Sequence, residues 1–224
     1  MRFIEVCATS LLDVKEAMAG GASRIELCSA LELGGITPSY GTILQVMATC
    51  NIPVNILVRA RGGNFVYTQE EVDVMVDDIK FCKKLGVNGV VIGALTHEGD
   101  IDIPAMQQMI EAAKPELKIT FHRAFDRAKK PLEALEKIIA LGCDTLLTSG
   151  QHEESAENGV ELLAQLVKQS NGRITIMPGK GVRVENIEYI EKTSGATQFH
   201  STARSARFNN LHTGREIVSA MTGN

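Results

Sequence analysis

The sequence predicts a single α/β domain, a compact (βα)8 or TIM barrel that spans residues 1–224. Short apolar runs typical of strands alternate with helix-like runs from one end of the chain to the other. No linker, low-complexity segment or change of composition divides the chain. Eight βα units in one unbroken rhythm favour a closed barrel over the alternative, a doubly wound open sheet.

Eight apolar runs predict the strands. They begin roughly 20 to 35 residues apart, a spacing that suits parallel strands joined by helical crossovers. Several of them are apolar at the start and polar at the end, so the same end of each strand carries the reactive side chains. The predicted strands are residues 3–8, 24–29, 54–59, 89–95, 118–125, 145–150, 174–179 and 198–203.

Capping residues and glycines mark the helices between these strands. Ser10 is a suitable N-cap for a helix that Gly20 and Gly21 end. The sequence Thr-Gln-Glu-Glu at residues 68–71 is a capping box. It predicts a long amphipathic helix that ends near Gly86.

Prolines and a second capping box predict the later helices. Pro104 and Pro131 stand where a first-turn proline belongs, and the helix after Pro131 ends near Gly142. Residues 157–169 predict another helix, and Thr-Gly-Arg-Glu at residues 213–216 predicts a capped closing helix. The order helix, glycine, strand recurs along the chain, as expected for repeated βα units.

Composition excludes several classes of partner. A net charge of −4 argues against nucleic acid or an anionic membrane. No apolar run approaches the roughly 18–20 residues that span a bilayer, and residues 1–10 resemble a strand rather than a signal peptide. We therefore expect a cytoplasmic protein with no nucleic acid and no membrane as partner. Its five cysteines, an odd number, suit reduced thiols. No G-x-G-x-x-G follows the first strand, so we expect no nucleotide cofactor.

Basic residues cluster where predicted strands three, five and seven end, at the rim that carries the chemistry in such barrels. Nearby glycines at residues 62–63, 179 and 181 expose backbone N–H groups, so this rim is a candidate site for phosphate or carboxylate. The alternative is that the arginines pair with carboxylates of the same rim. The predicted substrate-binding residues are Arg59, Arg61, Arg123, Ser149, Lys180 and Ser201.

Two histidines lie near the ends of predicted strands five and eight. Histidine is the usual general acid or base near neutral pH, and neighbouring carboxylates could support proton abstraction or lyase chemistry. The alternative is that each imidazole fills a layer of the barrel and bonds to neighbouring hydroxyls. The predicted catalytic residues are His122, Asp126, Glu26 and His200.

A short internal repeat places two cysteines on neighbouring strands. Residues 4–7 read Ile-Glu-Val-Cys and residues 25–28 read Ile-Glu-Leu-Cys. Equal parity puts both thiols on the same face of the sheet, and in register they would lie about 5 Å apart. Such a pair suits a soft cation such as Cu(I), so Cys7 and Cys28 are the predicted metal ligands. The alternative is two core cysteines, with Glu5 and Glu26 paired to basic neighbours.

Six segments together closely resemble the CutC family, in order and at sensible spacing over residues 4–204. They are residues 25–41 (IELCSALELGGITPSYG), 58–68 (VRARGGNFVYT), 121–127 (FHRAFDR), 147–151 (LTSGQ), 179–187 (GKGVRVENI) and 199–204 (FHSTAR).

The resemblance implies a compact TIM barrel, usually a homodimer in the cytoplasm, with a role in copper homeostasis and copper ion binding. It implies no established reaction. The second hypothesis, drawn from the rim, is a lyase, aldolase or isomerase acting on a small anionic or phosphorylated metabolite. The chain departs from the family at Lys180, where the family more often has glycine or alanine, so this lysine is expected to be particular to this protein.

Overall fold

Strands and helices alternate along the whole chain in the computed structural model, which describes residues 1–223. The strands are β1 (Phe3–Ala8), β2 (Arg24–Leu27), β3 (Val54–Leu57), β4 (Gly89–Ile92), β5 (Lys118–Phe121), β6 (Thr145–Thr148), β7 (Thr175–Pro178) and β8 (Gln198–Ser201). The helices are α1 (Leu11–Ala19), α2 (Tyr40–Thr49), α3 (Gln69–Lys84), α4 (Ile103–Ala113), α5 (Pro131–Ala140), α6 (Val160–Ser170), α7 (Ile187–Ser194) and α8 (Arg215–Thr222).

The eight strands form one parallel sheet that is nearly closed into a barrel. Its hydrogen-bonded order runs from β7 through β6, β5, β4, β3, β2 and β1 to β8. The two ends of this order meet, because the hydroxyl of Ser201 donates to the carbonyl of Val182 at 2.7 Å. The predicted (βα)8 barrel is confirmed.

Successive side chains of a strand point alternately to the helices and into the barrel, so the strands contribute to two separate apolar regions. Ile4, Val6 and Ile25 face the helices and belong to the large core between sheet and helices. Cys7 and Cys28 belong instead to a small apolar cluster inside the barrel, with Leu57 and Val91. The barrel interior is thus only partly apolar, and that leaves room in it for charged groups.

Every predicted strand is present, and most are shorter than predicted at the carboxyl end. The fifth strand ends at Phe121 instead of residue 125, because Arg123–Arg127 forms a 3-10 helix. The polar residues that follow the strands thus belong to loops at the rim. Some of them still donate a backbone N–H to the neighbouring strand, as His122 does to the Ile92 carbonyl, but their side chains can turn toward one another.

The predicted N-terminal helix caps are present with one exception. The hydroxyl of Ser10 accepts a hydrogen bond from the Asp13 N–H, and Thr68 with Glu71 forms the full capping box of α3. The second capping box is wrong: α8 begins after Gly214 without a side-chain cap. Among residues 1–223, none of the helices combines the length and apolar character that a bilayer crossing requires.

Candidate functional site

A cavity of about 860 Å³ opens at the carboxyl ends of the strands, lined by residues of β1, β2 and β8 and by the loops that follow β2, β3, β5, β7 and β8. We call four strand and strand-end residues the floor: Cys7, Glu26, Cys28 and His200. We call three basic residues of the loops the cationic rim: Arg123, Arg127 and Lys180. The structure therefore brings most of the predicted site residues around one space.

The two predicted metal ligands are in contact. The sulfur atoms of Cys7 and Cys28 lie 3.5 Å apart, and both thiols are buried and free of disulfide bonds. The register differs from the one that the repeat suggests, because Cys7 pairs with Glu26 and not with Cys28. Both strands still direct the thiols into the barrel, since a shift of two residues preserves parity. The hydrogen bond with Cys28 and burial together raise the pKa of Cys7 well above that of an ordinary thiol.

His200 lies between two buried carboxylates on the floor. Its Nδ1 is 2.7 Å from Oε1 of Glu5, and its Nε2 is 3.7 Å from Oε2 of Glu26. Burial lowers the pKa of His200, but the carboxylates of Glu26 and Glu5 outweigh that effect and raise it above the ordinary value. Burial also disfavours the charged form of Glu26, and the pKa of that carboxyl is therefore raised. These groups can therefore exchange a proton within the barrel.

Glu5 anchors this group from below, and its role in the site was not predicted from the sequence. Its carboxylate is fully buried and accepts a hydrogen bond from Nε of Arg24 at 2.5 Å. Burial opposes ionisation of Glu5, yet the hydrogen bonds with His200 and Arg24 and the charges of those residues hold its pKa below the ordinary value. The repeated Ile-Glu-x-Cys pattern is the signal for it, since the glutamate shares parity with the cysteine.

His122 is neutral, and its ring proton is fixed on one nitrogen. Its Nδ1 accepts the N–H of Ala124 at 3.1 Å, so the ring proton sits on Nε2. Burial, with the nearby Arg59 guanidinium, lowers the pKa of His122 to about 3. Within residues 1–223 the buried Nε2 has no hydrogen-bond partner. The predicted proton transfer near neutral pH does not suit this neutral imidazole, and the geometry favours a role that was not predicted, hydrogen-bond donation to a ligand.

Arg59 lines the cavity, but most of its N–H groups donate to backbone carbonyls. Its guanidinium donates to the carbonyls of Leu33, Gly35 and Gly63 at 3.1, 2.9 and 2.8 Å, and it lies over the Phe65 ring. In the described part of the chain only its buried Nε lacks a partner. Arg59 therefore holds two loops of the site in place and keeps one N–H available.

Asp126 is a structural carboxylate in this geometry. It accepts hydrogen bonds from the Arg123 guanidinium, the hydroxyls of Thr148 and Ser149, and the backbone N–H groups of Ser149 and Gln151. A carboxylate with its lone pairs so occupied is poorly placed to take a proton from a ligand. The alternative pairing of rim arginines with carboxylates is therefore realised at Arg123.

The remaining predicted substrate-binding residues divide into two groups. Lys180 and Ser201 line the cavity, although the Lys180 ammonium also donates to the Glu153 carbonyl. Arg61 and Ser149 are not among the described residues that line it. Arg61 instead pairs with Glu71, the capping residue of α3, because its loop turns the guanidinium toward that helix.

Comparison with known proteins gives consistent matches over nearly the whole chain. A model of the CutC family matches residues 2–205. A protein of this family from Parabacteroides distasonis is 51% identical over 227 residues, covering 98% of this chain and 93% of that protein. A further CutC family protein, from Chromobacterium violaceum, is 46% identical over 203 residues, covering 91% and 81%.

Solved structures give the same picture at the level of the fold. A crystal structure of a Streptococcus agalactiae protein that is named CutC, for copper homeostasis, matches with a TM-score of 0.85 at 36% identity, covering 90% of this chain and 99% of that one. Phosphoribosyl anthranilate isomerase from Thermococcus kodakaraensis matches with a TM-score of 0.60 at 13% identity, covering 100% and 98%. The second likeness shows the barrel fold alone.

Proposed function

Because this chain belongs to the CutC family, we propose that it is a cytoplasmic copper homeostasis protein that binds Cu(I) through Cys7 and Cys28. One observation carries the proposal: two buried thiols lie 3.5 Å apart on the floor of an open cavity. Thiolates prefer soft cations, and a cavity above them gives an incoming ion a path. The homodimer and the cytoplasmic location rest on the family resemblance and are part of the same proposal.

The raised pKa of Cys7 fits an exchange of protons for metal. A thiol must lose its proton to bind a metal, so binding releases protons and strengthens as the pH rises. The low polarity around the thiols, from Leu57 and Val91, excludes competing water ligands from that side. These features suit a binder that releases Cu(I) to a stronger thiol acceptor.

The test is an anaerobic titration of the reduced protein with Cu(I) against a competing chelator. Binding of one ion per chain should be lost in the Cys7→Ser/Cys28→Ser variant. Cys82→Ser/Cys143→Ser is the matched control, since those cysteines are also buried and free but do not line the cavity. Weak binding by the wild type, or equal loss in both double variants, would contradict the copper proposal.

A second candidate function is an enzyme that acts on a small anionic or phosphorylated metabolite. The observation that favours it is a pair of buried N–H donors without partners in residues 1–223, Nε2 of His122 and Nε of Arg59, on residues that line the same cavity as the cationic rim. An unpaired buried donor costs about 1–3 kcal/mol, which a bound oxyanion would recover. A carrier of Cu(I) has no use for these donors. Lyase, aldolase and isomerase chemistry all fit such a site.

Inorganic phosphate, followed by calorimetric titration, tests anion binding at this cavity. Affinity should fall at least tenfold in Arg127→Gln, because that residue belongs to the cationic rim. Arg61→Gln is the matched control, a nearby arginine outside the cavity lining. No measurable binding to the wild type, or the same loss in both variants, would remove the basis for an anion site.

A further inference from the structure

We propose that Cys7, Glu26 and His200 form a three-ligand site for Zn²⁺ on the floor of the cavity, with one coordination position open. The site shares Cys7 with the copper proposal and leaves Cys28 out. Binding of Zn²⁺ there does not depend on copper binding. Its chemical use rests on the second candidate function, the enzyme acting on an anion.

The three donor atoms already surround a common point. The Cys7 sulfur, a Glu26 carboxylate oxygen and a His200 ring nitrogen all lie within 4.8 Å of one another. Zn²⁺ takes sulfur at about 2.3 Å and nitrogen or oxygen at about 2.0–2.2 Å, so tetrahedral donors lie roughly 3.3–3.8 Å apart. A contraction of at most about 1–1.5 Å brings the three atoms to that spacing. Rotation of the side chains can supply this movement without a change in β1, β2 or β8.

Glu5 supplies an independent indication that His200 is a metal ligand. Nδ1 of His200 is 2.7 Å from the Glu5 carboxylate, which Arg24 fixes in turn. A histidine that binds metal through one ring nitrogen commonly donates its other N–H to a carboxylate. With the proton on Nδ1, the lone pair of Nε2 is available on the side of the ring that faces Glu26. The arrangement therefore matches a carboxylate–histidine–metal unit.

The contact between His200 and Glu26 is unusual for a buried pair. Nε2 and Oε2 are 3.7 Å apart, which is too long for a hydrogen bond, although both side chains are largely buried. The Glu26 carboxylate has a hydrogen bond with the Cys7 thiol, which is a weak donor, and burying a carboxylate with so weak a partner is costly. A cation between the two groups would satisfy both, and the gap has the width that two ligands of one ion require.

The donor set selects the kind of metal. One thiolate, one imidazole and one carboxylate suit a borderline ion such as Zn²⁺, whereas Mg²⁺ and Ca²⁺ prefer oxygen ligands alone and Cu(I) prefers thiols. Three protein ligands with an open position are typical of catalytic rather than structural zinc. Here the open position would face a cavity whose rim is cationic. Bound Zn²⁺ acts as a Lewis acid toward an oxygen of a ligand held there.

Two isosteric or nearly isosteric variants separate this site from the two-thiol site. Glu26→Gln removes a zinc ligand and leaves both thiols, and Cys28→Ser removes a copper ligand and leaves all three zinc ligands. Zn²⁺ and Cu(I) are each titrated anaerobically into the reduced, metal-free full chain against a competing chelator. Circular dichroism checks that each variant is folded.

The two variants should affect the two metals in opposite ways. Glu26→Gln should weaken Zn²⁺ binding at least tenfold and change Cu(I) binding less than threefold, and Cys28→Ser should do the reverse. Glu5→Gln should weaken Zn²⁺ binding tenfold or more through its effect on His200. Co²⁺ in the wild type should give a tetrahedral absorption spectrum with a thiolate charge-transfer band, a readout that requires no variant to fold.

Other outcomes would contradict the zinc site, and the copper proposal is tested separately by Cu(I) binding. Zn²⁺ affinity that is unchanged in Glu26→Gln, or that is lost in Cys28→Ser, would mean that any zinc binds the two thiols alone. An octahedral Co²⁺ spectrum without a thiolate band would mean that the metal binds elsewhere, without Cys7 as a ligand. Loss of Cu(I) binding in Cys28→Ser would still support the copper site in either case.

Discussion

Two histidines of the same cavity differ in the charge that their surroundings impose. Within residues 1–223 His122 has no carboxylate partner, and burial together with the nearby Arg59 lowers its pKa to about 3. His200 is equally buried, but Glu26 and Glu5 raise its pKa. The first is a neutral donor at any physiological pH, and the second is poised to hold or release a proton. The sequence predicts the position of both residues and gives no basis for telling them apart.

The burial of neutral His122 makes the protein less stable in mild acid. An unfolded histidine gains a proton near pH 6.5, whereas folded His122 stays neutral down to a pKa of about 3, so the free energy of unfolding falls as the pH drops between these values. From pH 6.5 down to pH 4.5, His122 alone should lower the free energy of unfolding by roughly 2 kcal/mol. His122→Asn does not titrate there, and its side chain can still accept the Ala124 N–H. Urea unfolding of both proteins at several pH values should show a shallower pH dependence in the variant; identical pH dependence would contradict the neutral assignment.

Lys180 carries backbone strain at the rim. Its φ is 88°, a conformation that favours glycine, and the CutC resemblance indicates that glycine or alanine is more usual there. We expect Lys180→Gly to raise the free energy of unfolding by roughly 0.5–1 kcal/mol, because glycine relieves the strain but adds entropy to the unfolded chain. Urea unfolding measures this difference.

Lys180→Ala is the matched comparison, since it removes the ammonium and keeps the strained Cβ. Both variants should lose phosphate affinity if the ammonium holds an anion, and only the glycine variant should gain stability. Equal stability of the two variants would show that strain is not the reason for the gain. Unchanged phosphate affinity in both would remove Lys180 from the anion site.

At the scale of elements, Asp126 joins the end of β5 to the end of β6. It lies in the 3-10 helix Arg123–Arg127 and accepts the N–H and hydroxyl of Ser149, which follows β6. Asp126→Asn replaces one acceptor oxygen by a donor that faces other donors. We expect the free energy of unfolding to fall by about 2–4 kcal/mol, as measured by urea unfolding. Asp77→Asn, which removes an exposed ion pair with Lys80, should cost less than about 1 kcal/mol. Similar losses in the two variants would mean that Asp126 is not the anchor of these strand ends.

The capping motifs show where local sequence is sufficient and where it is not. Thr68 and Glu71 form the predicted box although Arg61 also pairs with Glu71, because both partners of the box lie three residues apart in the chain. Thr213 instead donates to the Thr202 carbonyl, and Glu216 accepts the hydroxyl of Ser205. Those partners come from the loop after β8. The short motif does not reveal them, because they approach only when that loop folds back onto α8.

At the scale of the molecule, barrel closure decides which predicted residues meet. The repeated Ile-Glu-x-Cys pattern was enough to place two thiols inside the barrel, since parity follows from the strands alone. The pairing of Glu5 with His200 joins residues 195 apart in the chain, and it depends on β8 returning to β1. The exact register of β1 and β2 also depends on strand tilt. For these reasons the residues of the floor could be named from the sequence, but the contacts that set their protonation could not.

Because the floor draws on the first, second and eighth strands, a metal bound there would link the first two strands of the chain to the last one. A ligand that binds only the folded state stabilises it by about 2.7 kcal/mol when present at 100 times its dissociation constant. For a chain of this length such a gain raises the midpoint of thermal unfolding by roughly 5–10 °C. We expect this shift with Zn²⁺ or Cu(I) in the wild type, measured by calorimetry on reduced protein under anaerobic conditions. Cys7→Ser should abolish it for both ions, because Cys7 is the ligand that the two sites share, whereas Cys82→Ser should retain it. A metal that binds stoichiometrically but leaves the midpoint unchanged would have to bind outside the barrel floor, and both metal proposals would then fail.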